Sequence, residues 1–207
     1  MGYRPADRLT LIQTEEGVAA MIICITGLPG SGKSTVADLL KEELERNVHR
    51  VRHYTSDWMR FRLFPELVGD STQHGRDFTQ NELERSYNGL YMLFEELLGA
   101  DPSLVILTDG TYRKESQRKS LREIARRHGV PFILVKVYAE EKATLMRLRE
   151  RLASGTGSGP ESYLSTKAVY EDPLDAYQLE NTGDKKALQG KVRALVRAIL
   201  QQSADAS

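Results

Sequence analysis

The chain has 207 residues, of which 40% are hydrophobic and 28% charged, with 29 Lys and Arg balancing 29 Asp and Glu. At roughly 150 residues per domain this is one sizeable core rather than a large multidomain machine. The zero formal charge offers no overall field for nucleic acid or an anionic membrane, no apolar run approaches the ~20 residues that cross a bilayer, and the single Cys24 fits a reducing cytoplasm.

Residues 1–20 lack the apolar centre of a signal peptide and carry Thr14-Glu15-Glu16-Gly17 in its place. They read as an N-terminal extension, or as an arm that adds a strand through residues 9–12, ahead of one domain at 21–207. Met21-Ile22-Ile23-Cys24-Ile25-Thr26 is a continuous apolar run, the mark of a strand buried on both faces. A helix follows from about Lys33, with Val36, Leu39, Leu40 and Leu44 on one stripe, and residues 50–55 read as a second strand. Leu83, Tyr87, Leu90, Tyr91, Phe94, Leu97 and Leu98 predict a long amphipathic helix, stopped by Asp101-Pro102. A third strand covers 104–107. Leu121, Ile124, Ala125 and His128 mark a helix closed by Gly129 and Pro131. A fourth strand at 132–137 precedes a helix carrying Leu145, Leu148 and Leu152. A fifth short strand at 177–180 and a last helix with Leu188, Val192, Leu195 and Ile199 complete the chain. Strands alternating with helices predict an α/β fold, a parallel sheet covered by helices on both faces.

Gly27-Leu28-Pro29-Gly30-Ser31-Gly32-Lys33-Ser34 matches G-x-x-x-x-G-K-[ST] between a buried strand and an amphipathic helix, the context that gives this pattern meaning. The glycines let successive N–H groups turn toward phosphate oxygens, and the helix start adds the positive end of its dipole. The loop with Thr35 is therefore the expected site for the phosphates of ATP. Lys33 is expected on the β- and γ-phosphates and Ser34 on Mg²⁺.

Asp109 stands at the tip of the third strand, where a carboxylate would hold Mg²⁺ directly or through water; an Asx turn in Asp109-Gly110 is the other reading. Asp57 follows the second strand. It is placed to orient an acceptor hydroxyl and take its proton, or to cap a helix. Arg60, three positions on, would grip an anionic acceptor. Arg147 and Arg151 share a helix face that runs into Ser154-Gly155-Thr156-Gly157-Ser158-Gly159-Pro160. A lid at about 152–166 would bring both arginines to the transferring phosphoryl group; a solvated face paired with Glu140, Glu141 and Glu150 is the alternative. His49 and His53 straddle a helix end and a strand, which does not suit a shared metal. Trp58, Phe61 and Phe64 are either an aromatic wall for an acceptor or packing against the sheet.

Gly-Leu-Pro-Gly-Ser-Gly-Lys-Ser-Thr at 27–35, Ser-Asp-x-x-Arg at 56–60, the apolar run into Asp109-Gly110-Thr111 and Arg147-x-x-x-Arg151 together resemble small-molecule P-loop kinases. These are the broad predicted-kinase group, zeta-toxin-like and of AAA_33 type, which also contains polynucleotide and seryl-tRNA kinases. Asp57-x-x-Arg60, Phe78-Thr79-x-x-Glu82, Tyr170-Glu171-Asp172-Pro173 and Asn181-Thr182 are similar to segments of adenylylsulfate kinase. That enzyme carries Ser-Pro after the third strand, where this chain has Thr108-Asp109-Gly110-Thr111-Tyr112. The resemblance implies a three-layer, nucleoside-monophosphate-kinase-like fold with strand order 2-3-1-4-5. It also implies ATP with Mg²⁺, and transfer to a hydroxyl of adenylylsulfate or a nucleoside-like or nucleotide-like compound. Asp57, Arg60, Phe78 and Arg113 would hold the acceptor. A monomer or homodimer is expected.

A guanine-reading switch would need Asn/Thr-Lys-x-Asp, and Thr166-Lys167-Ala168-Val169 ends in the wrong residue. A kinase of nucleic-acid or tRNA-linked hydroxyls would need a basic groove. The only dense basic run, Arg113, Lys114, Arg118, Lys119, Arg122, Arg126 and Arg127, encircles a helix with Glu115 and Glu123 and reads equally as a solvated face.

Overall fold

The computed structural model describes residues 20–48, 50–65, 78–155 and 159–205. Five strands form one parallel sheet: β1 (Met21–Thr26), β2 (Val51–Thr55), β3 (Val105–Asp109), β4 (Phe132–Tyr138) and β5 (Tyr177–Glu180), in the order β2-β3-β1-β4-β5. Seven helices accompany it among the described residues: α1 (Lys33–Glu45), α2 (Ser56–Leu63), α3 (Gln80–Ala100), α4 (Glu115–Arg127), α5 (Glu141–Ala153), α6 (Pro160–Lys167) and α7 (Lys185–Asp205). The expected fold class and strand order are both present. None of the helices searched among the described residues is long and apolar enough to cross a membrane.

All six residues of β1 are buried, because the strand is central and covered on both faces. Its alternate side chains feed two separate cores. Met21, Ile23 and Ile25 pack with Val36, Leu40 and Leu44 of α1 and Leu188, Val192 and Ile199 of α7. Ile22 and Cys24 pack with Leu90, Phe94 and Leu98 of α3 and Leu121 and Ile124 of α4. The continuous apolar run in β1 is the sequence image of this arrangement, one residue in two for each face. Cys24 is a core residue whose thiol is pushed far up by burial.

The chain leaves β1 toward β2 on one side and leaves β3 toward β4 on the other. The loops after β1 and β3 therefore diverge, and a crevice opens between their carboxyl ends, the usual ligand site of an open α/β sheet. The phosphate-loop motif and Asp109 lie at that crevice.

Several boundaries differ from the sequence reading. Thr55, not Asp57, caps α2: its Oγ1 accepts from the Trp58 amide at 2.8 Å, and Asp57 sits in the first turn. α3 begins earlier than its apolar stripe, held by a reciprocal capping box between Thr79 and Glu82. α6 was not expected as a helix. Tyr163 is its one buried residue, so it shows no apolar period, and its only local signal is Pro160 in the first turn after Gly159. Ala20 belongs to the fold: it is buried, and its amide donates to the Pro102 carbonyl at 3.2 Å. Residues 1–19 of the expected extension, His49, and residues 156–158 of the expected lid lie outside the described residues.

Candidate active site

The loop Gly27–Ser34 closes over the end of β1 because its glycines adopt conformations closed to other residues. Gly32 has φ +87°, and a Cβ there would lie 1.9 Å from Asn181 Nδ2. Gly27 has φ +150°, and a Cβ there would lie 2.2 Å from the Val137 carbonyl oxygen. The loop is thus clamped between β4 and the segment after β5, with Asn181 Nδ2 donating to the Ser31 carbonyl at 2.8 Å. Gly32 precedes α1 and no side chain caps the helix, so its first amides face the loop interior. Leu28 accepts from the Ser31 amide at 3.2 Å and from Lys33 Nζ at 3.0 Å. Pro29 and Gly30 lie between them, and Thr35 lies in the first turn of α1.

Burial lowers the Lys33 pKa from its ordinary 10.5 to about 8. Asp109 and then Asp57 act against that shift, and Arg151 adds to it. One ammonium is therefore within electrostatic reach of carboxylates from two strand ends and of the arginine near the end of α5.

Asp109 is 4% exposed. Its Oδ2 accepts from Ser34 Oγ at 3.3 Å and its Oδ1 is 2.7 Å from His53 Nε2. Its hydrogen-bond partners come from α1 and β2, not from the turn that follows it, which sets aside the Asx-turn reading. Ser34 and Asp109 present a hydroxyl and a carboxylate, the hard oxygen donors that suit magnesium. No group of three or more His, Cys, Asp or Glu that could hold a metal occurs among the described residues. A magnesium ion there would complete its shell with phosphate and water oxygens, its ordinary habit. The buried Ser31 Oγ, within the glycine loop, has no partner among the described residues, so the residues fit a magnesium–nucleotide pair.

On the β2 side, Asp57 Oδ1 and Arg60 Nη1 pair at 2.7 Å. The Arg60 guanidinium lies 5.0 Å from the Phe78 ring centroid, and Phe78 meets Phe64 at 6.3 Å. Arg60 Nε is buried without a partner among the described residues. Arg113 bonds Gln80 in the first turn of α3, two residues from Phe78. Asp57 and Arg60 of α2 are thus brought to Phe78, and Arg113 to the first turn of the helix that follows it. Trp58 and Phe61 are substantially exposed, and the Trp58 ring also meets Tyr54 of β2 edge-on at 5.5 Å.

The two lid arginines are placed apart. Arg147 Nη2 donates to the Asn181 carbonyl at 3.3 Å, behind Gly32, while Nη1 is buried without a partner among the described residues. Arg151 is exposed and acts electrostatically on Lys33. Arg149 is exposed, as its helix position suggests.

Three features escaped the sequence reading. Arg118, grouped there with a solvated basic face, is 1% exposed. Its Nη1 donates to the Tyr112 carbonyl and its Nη2 to the Glu171 carbonyl, each at 2.7 Å, and its Nε to Glu115 at 2.9 Å. It sits three and seven residues before Leu121 and Ala125, on the buried stripe of α4, and that spacing was the available signal. Tyr112, fully buried at φ +40°, is the one non-glycine residue with positive φ among those described. It is held by Thr108 Oγ1 at 2.7 Å and by its amide donating to Tyr87 Oη at 3.2 Å. The third is a cavity of about 290 Å³ beside the loop, lined by Leu28, Ser31, Tyr138, Thr144, Tyr163 and Tyr170 among others. Tyr170 Oη reaches Thr26 Oγ1 at 3.0 Å, which places the cavity at the tip of β1.

A family model described as an AAA domain, AAA_33, matches residues 22–173, well over half of the chain. The chain belongs to the AAA_33 family. A probable adenylyl-sulfate kinase of Aeropyrum pernix is 26% identical over 191 residues, covering 90% of this chain and 96% of that protein. The solved structures it resembles include P-loop kinases. The adenylylsulfate kinase CysC of Mycobacterium tuberculosis, in complex with AMPPNP and APS, superposes with a TM-score of 0.63 at 17% identity, covering 88% of this chain and 98% of that one. A gluconokinase of Sinorhizobium meliloti gives 0.64 at 16% identity, covering 94% and 99%. At these identities the two structures establish the fold that this family member shares with them.

Proposed function

We propose that this family member is an ATP-dependent phosphotransferase that moves the γ-phosphoryl group of ATP to a hydroxyl of a small-molecule acceptor. The observation that carries the proposal is the Ser34–Asp109 pair at 3.3 Å beside the glycine loop, with the Asp57–Arg60 pair at the end of the neighbouring strand β2. The acceptor oxygen forms the new bond to the γ-phosphorus, the bond to the β–γ bridging oxygen breaks, and ADP leaves. Asp57 takes the hydroxyl proton. Lys33 and the loop amides stabilise the charge on the transferring group, and Arg151 joins them from α5. Arg147 holds the nucleotide side of the loop through Asn181. Magnesium held at Ser34 and Asp109 would neutralise charge on the phosphates.

Arg60 stacked on Phe78, with Arg113 nearby, suits an acceptor that carries an anionic group beside a ring. Adenylylsulfate and nucleotide-like compounds have that form. A nucleic-acid acceptor is less well supported. Arg122, Arg126 and Arg127 of the basic helix are paired with Glu115, Asp175, Glu123 and Glu95, and Arg118 is buried.

The test is a panel of acceptors with ATP and Mg²⁺, scored by ADP release above the no-acceptor background. Adenylylsulfate, nucleosides, gluconate, seryl-tRNA and 5′-hydroxyl oligonucleotides belong on it. One small anionic acceptor should raise turnover well above the rest. Stimulation by the oligonucleotide or the tRNA alone would replace the small-molecule reading. ATP binding with no stimulation by any compound would reject phosphotransfer to these classes.

A further inference from the structure

His53 has no place in the phosphate-loop motif or in the Asp57-x-x-Arg60 segment. It lies two residues before the end of β2, on the strand face shared by Val51 and Thr55, and it is paired in register with Leu107. Across that pairing its Nε2 meets Asp109 Oδ1 at 2.7 Å, with the two side chains 15% and 5% exposed. The other oxygen of Asp109 meets Ser34 Oγ at 3.3 Å. We infer that His53 is a positioning residue for the metal-side carboxylate, fixing Asp109 so that Oδ2 is presented beside Ser34.

The argument is geometric. A carboxylate on a short side chain can rotate about its last bond, and either oxygen can then turn toward a cation. In Asp109, whose side chain is 5% exposed, one oxygen is already held by a short bond from a largely buried imidazole, so rotation would break that bond where little water can replace it. The free choice of oxygen is removed before any metal arrives. Partners of this kind behind a ligating carboxylate commonly govern metal affinity by ~10–100-fold without touching the metal. The same imidazole ties β2, which runs into the first turn of α2 where Asp57 stands, to β3, which ends at Asp109.

The inference rests on the proposed magnesium–nucleotide site, and the test separates the two. Binding of Mn²⁺ in place of Mg²⁺ to the full-length protein with AMPPNP is read by electron paramagnetic resonance, without turnover. AMPPNP binding in EDTA and thermal unfolding are measured on the same variants. Wild-type protein should bind Mn²⁺ in a nucleotide-dependent way; if it does not, the underlying site is wrong and this inference falls with it. His53→Leu should weaken Mn²⁺ affinity by about 10–100-fold while metal-free AMPPNP binding stays within a few-fold. His53→Gln places an amide nitrogen close to where Nε2 stands and should recover most of the affinity. His53→Asn, whose amide nitrogen corresponds to Nδ1, should not. Unchanged Mn²⁺ affinity in His53→Leu overturns the inference. If His53→Leu fails to fold, equal Mn²⁺ affinity in the Gln and Asn variants overturns it instead.

Discussion

Under the proposed function a bound nucleotide requires Lys33 in its charged form, yet burial holds its pKa near 8 rather than 10.5. Unfolded chain keeps the proton up to about 10.5, so below pH 8 the fold carries the cost of a buried ammonium. That cost is relieved as pH rises from 8 to 10.5, and Lys33 then favours the folded state more with each step. Binding runs the other way. Phosphate requires the ammonium, so above pH 8 nucleotide binding must take up a proton, and affinity should fall toward about tenfold per pH unit. Titration calorimetry from pH 7 to 9.5, in buffers of different ionisation enthalpy, should show flat affinity below 8 and proton uptake above it. No uptake at pH 9 would mean that the phosphates do not meet Lys33. Asp57 supports a separate expectation. Asp57→Asn keeps the shape but accepts no proton, so acceptor-dependent turnover should drop by ~10²–10⁴ while ATP affinity changes little. Equal loss in ATP affinity would assign Asp57 to the nucleotide instead.

At the scale of elements, α4 does more than cover the sheet. Arg118 joins the loop after β3, through the Tyr112 carbonyl, to the Tyr170-Glu171-Asp172-Pro173 segment, through the Glu171 carbonyl. Glu171 returns two bonds: its amide donates to the Arg113 carbonyl at 2.8 Å, and its carboxylate accepts from the Glu115 amide at 2.5 Å at the start of α4. The left-handed Tyr112 is unfavourable for a residue with a Cβ, and these bonds hold it there. Removing the guanidinium leaves the buried Tyr112 carbonyl and the partly buried Glu171 carbonyl without this donor. Arg118→Ala should cost about 3 kcal/mol, which for a chain of this length is a fall of roughly 6–12 °C in Tm. Arg118→Lys should recover less than half of that, because an ammonium lacks the planar fork that reaches both carbonyls. Differential scanning calorimetry of the two variants checks this; an Arg118→Lys variant as stable as wild type would show that charge alone matters.

For the whole molecule, α6 is the element that stands to move. It buries Tyr163 alone, and its last residue, Lys167, bonds Glu141 at the start of α5 at 2.6 Å. Tyr163 and Lys167 also line the cavity at the tip of β1. If α6 closes over bound substrates, amide exchange across 160–167 should slow with AMPPNP and a true acceptor together, by up to about 100-fold for each ligand held at 100 times its Kd. Unchanged exchange at saturation would leave α6 as a static wall. The strands, most helices, the fold class and the phosphate loop were legible in the sequence because each is written in a local period or a contiguous motif: β1 as six apolar residues, α3 as a stripe, the loop as eight residues in a row. The burial of Arg118, the bond from His53 to Asp109 and the seat of Arg147 behind Gly32 were not. Each pairs residues 34 to 56 positions apart, or more, whose meeting depends on strand order and on which helix face turns inward. An arginine or histidine carries the same letter on a solvated face as in a buried junction. The sequence by itself determined most of the local elements and the place of the glycine-rich loop between β1 and α1; only the packing of those elements decided which polar side chains lost their water and had to find partners in the protein.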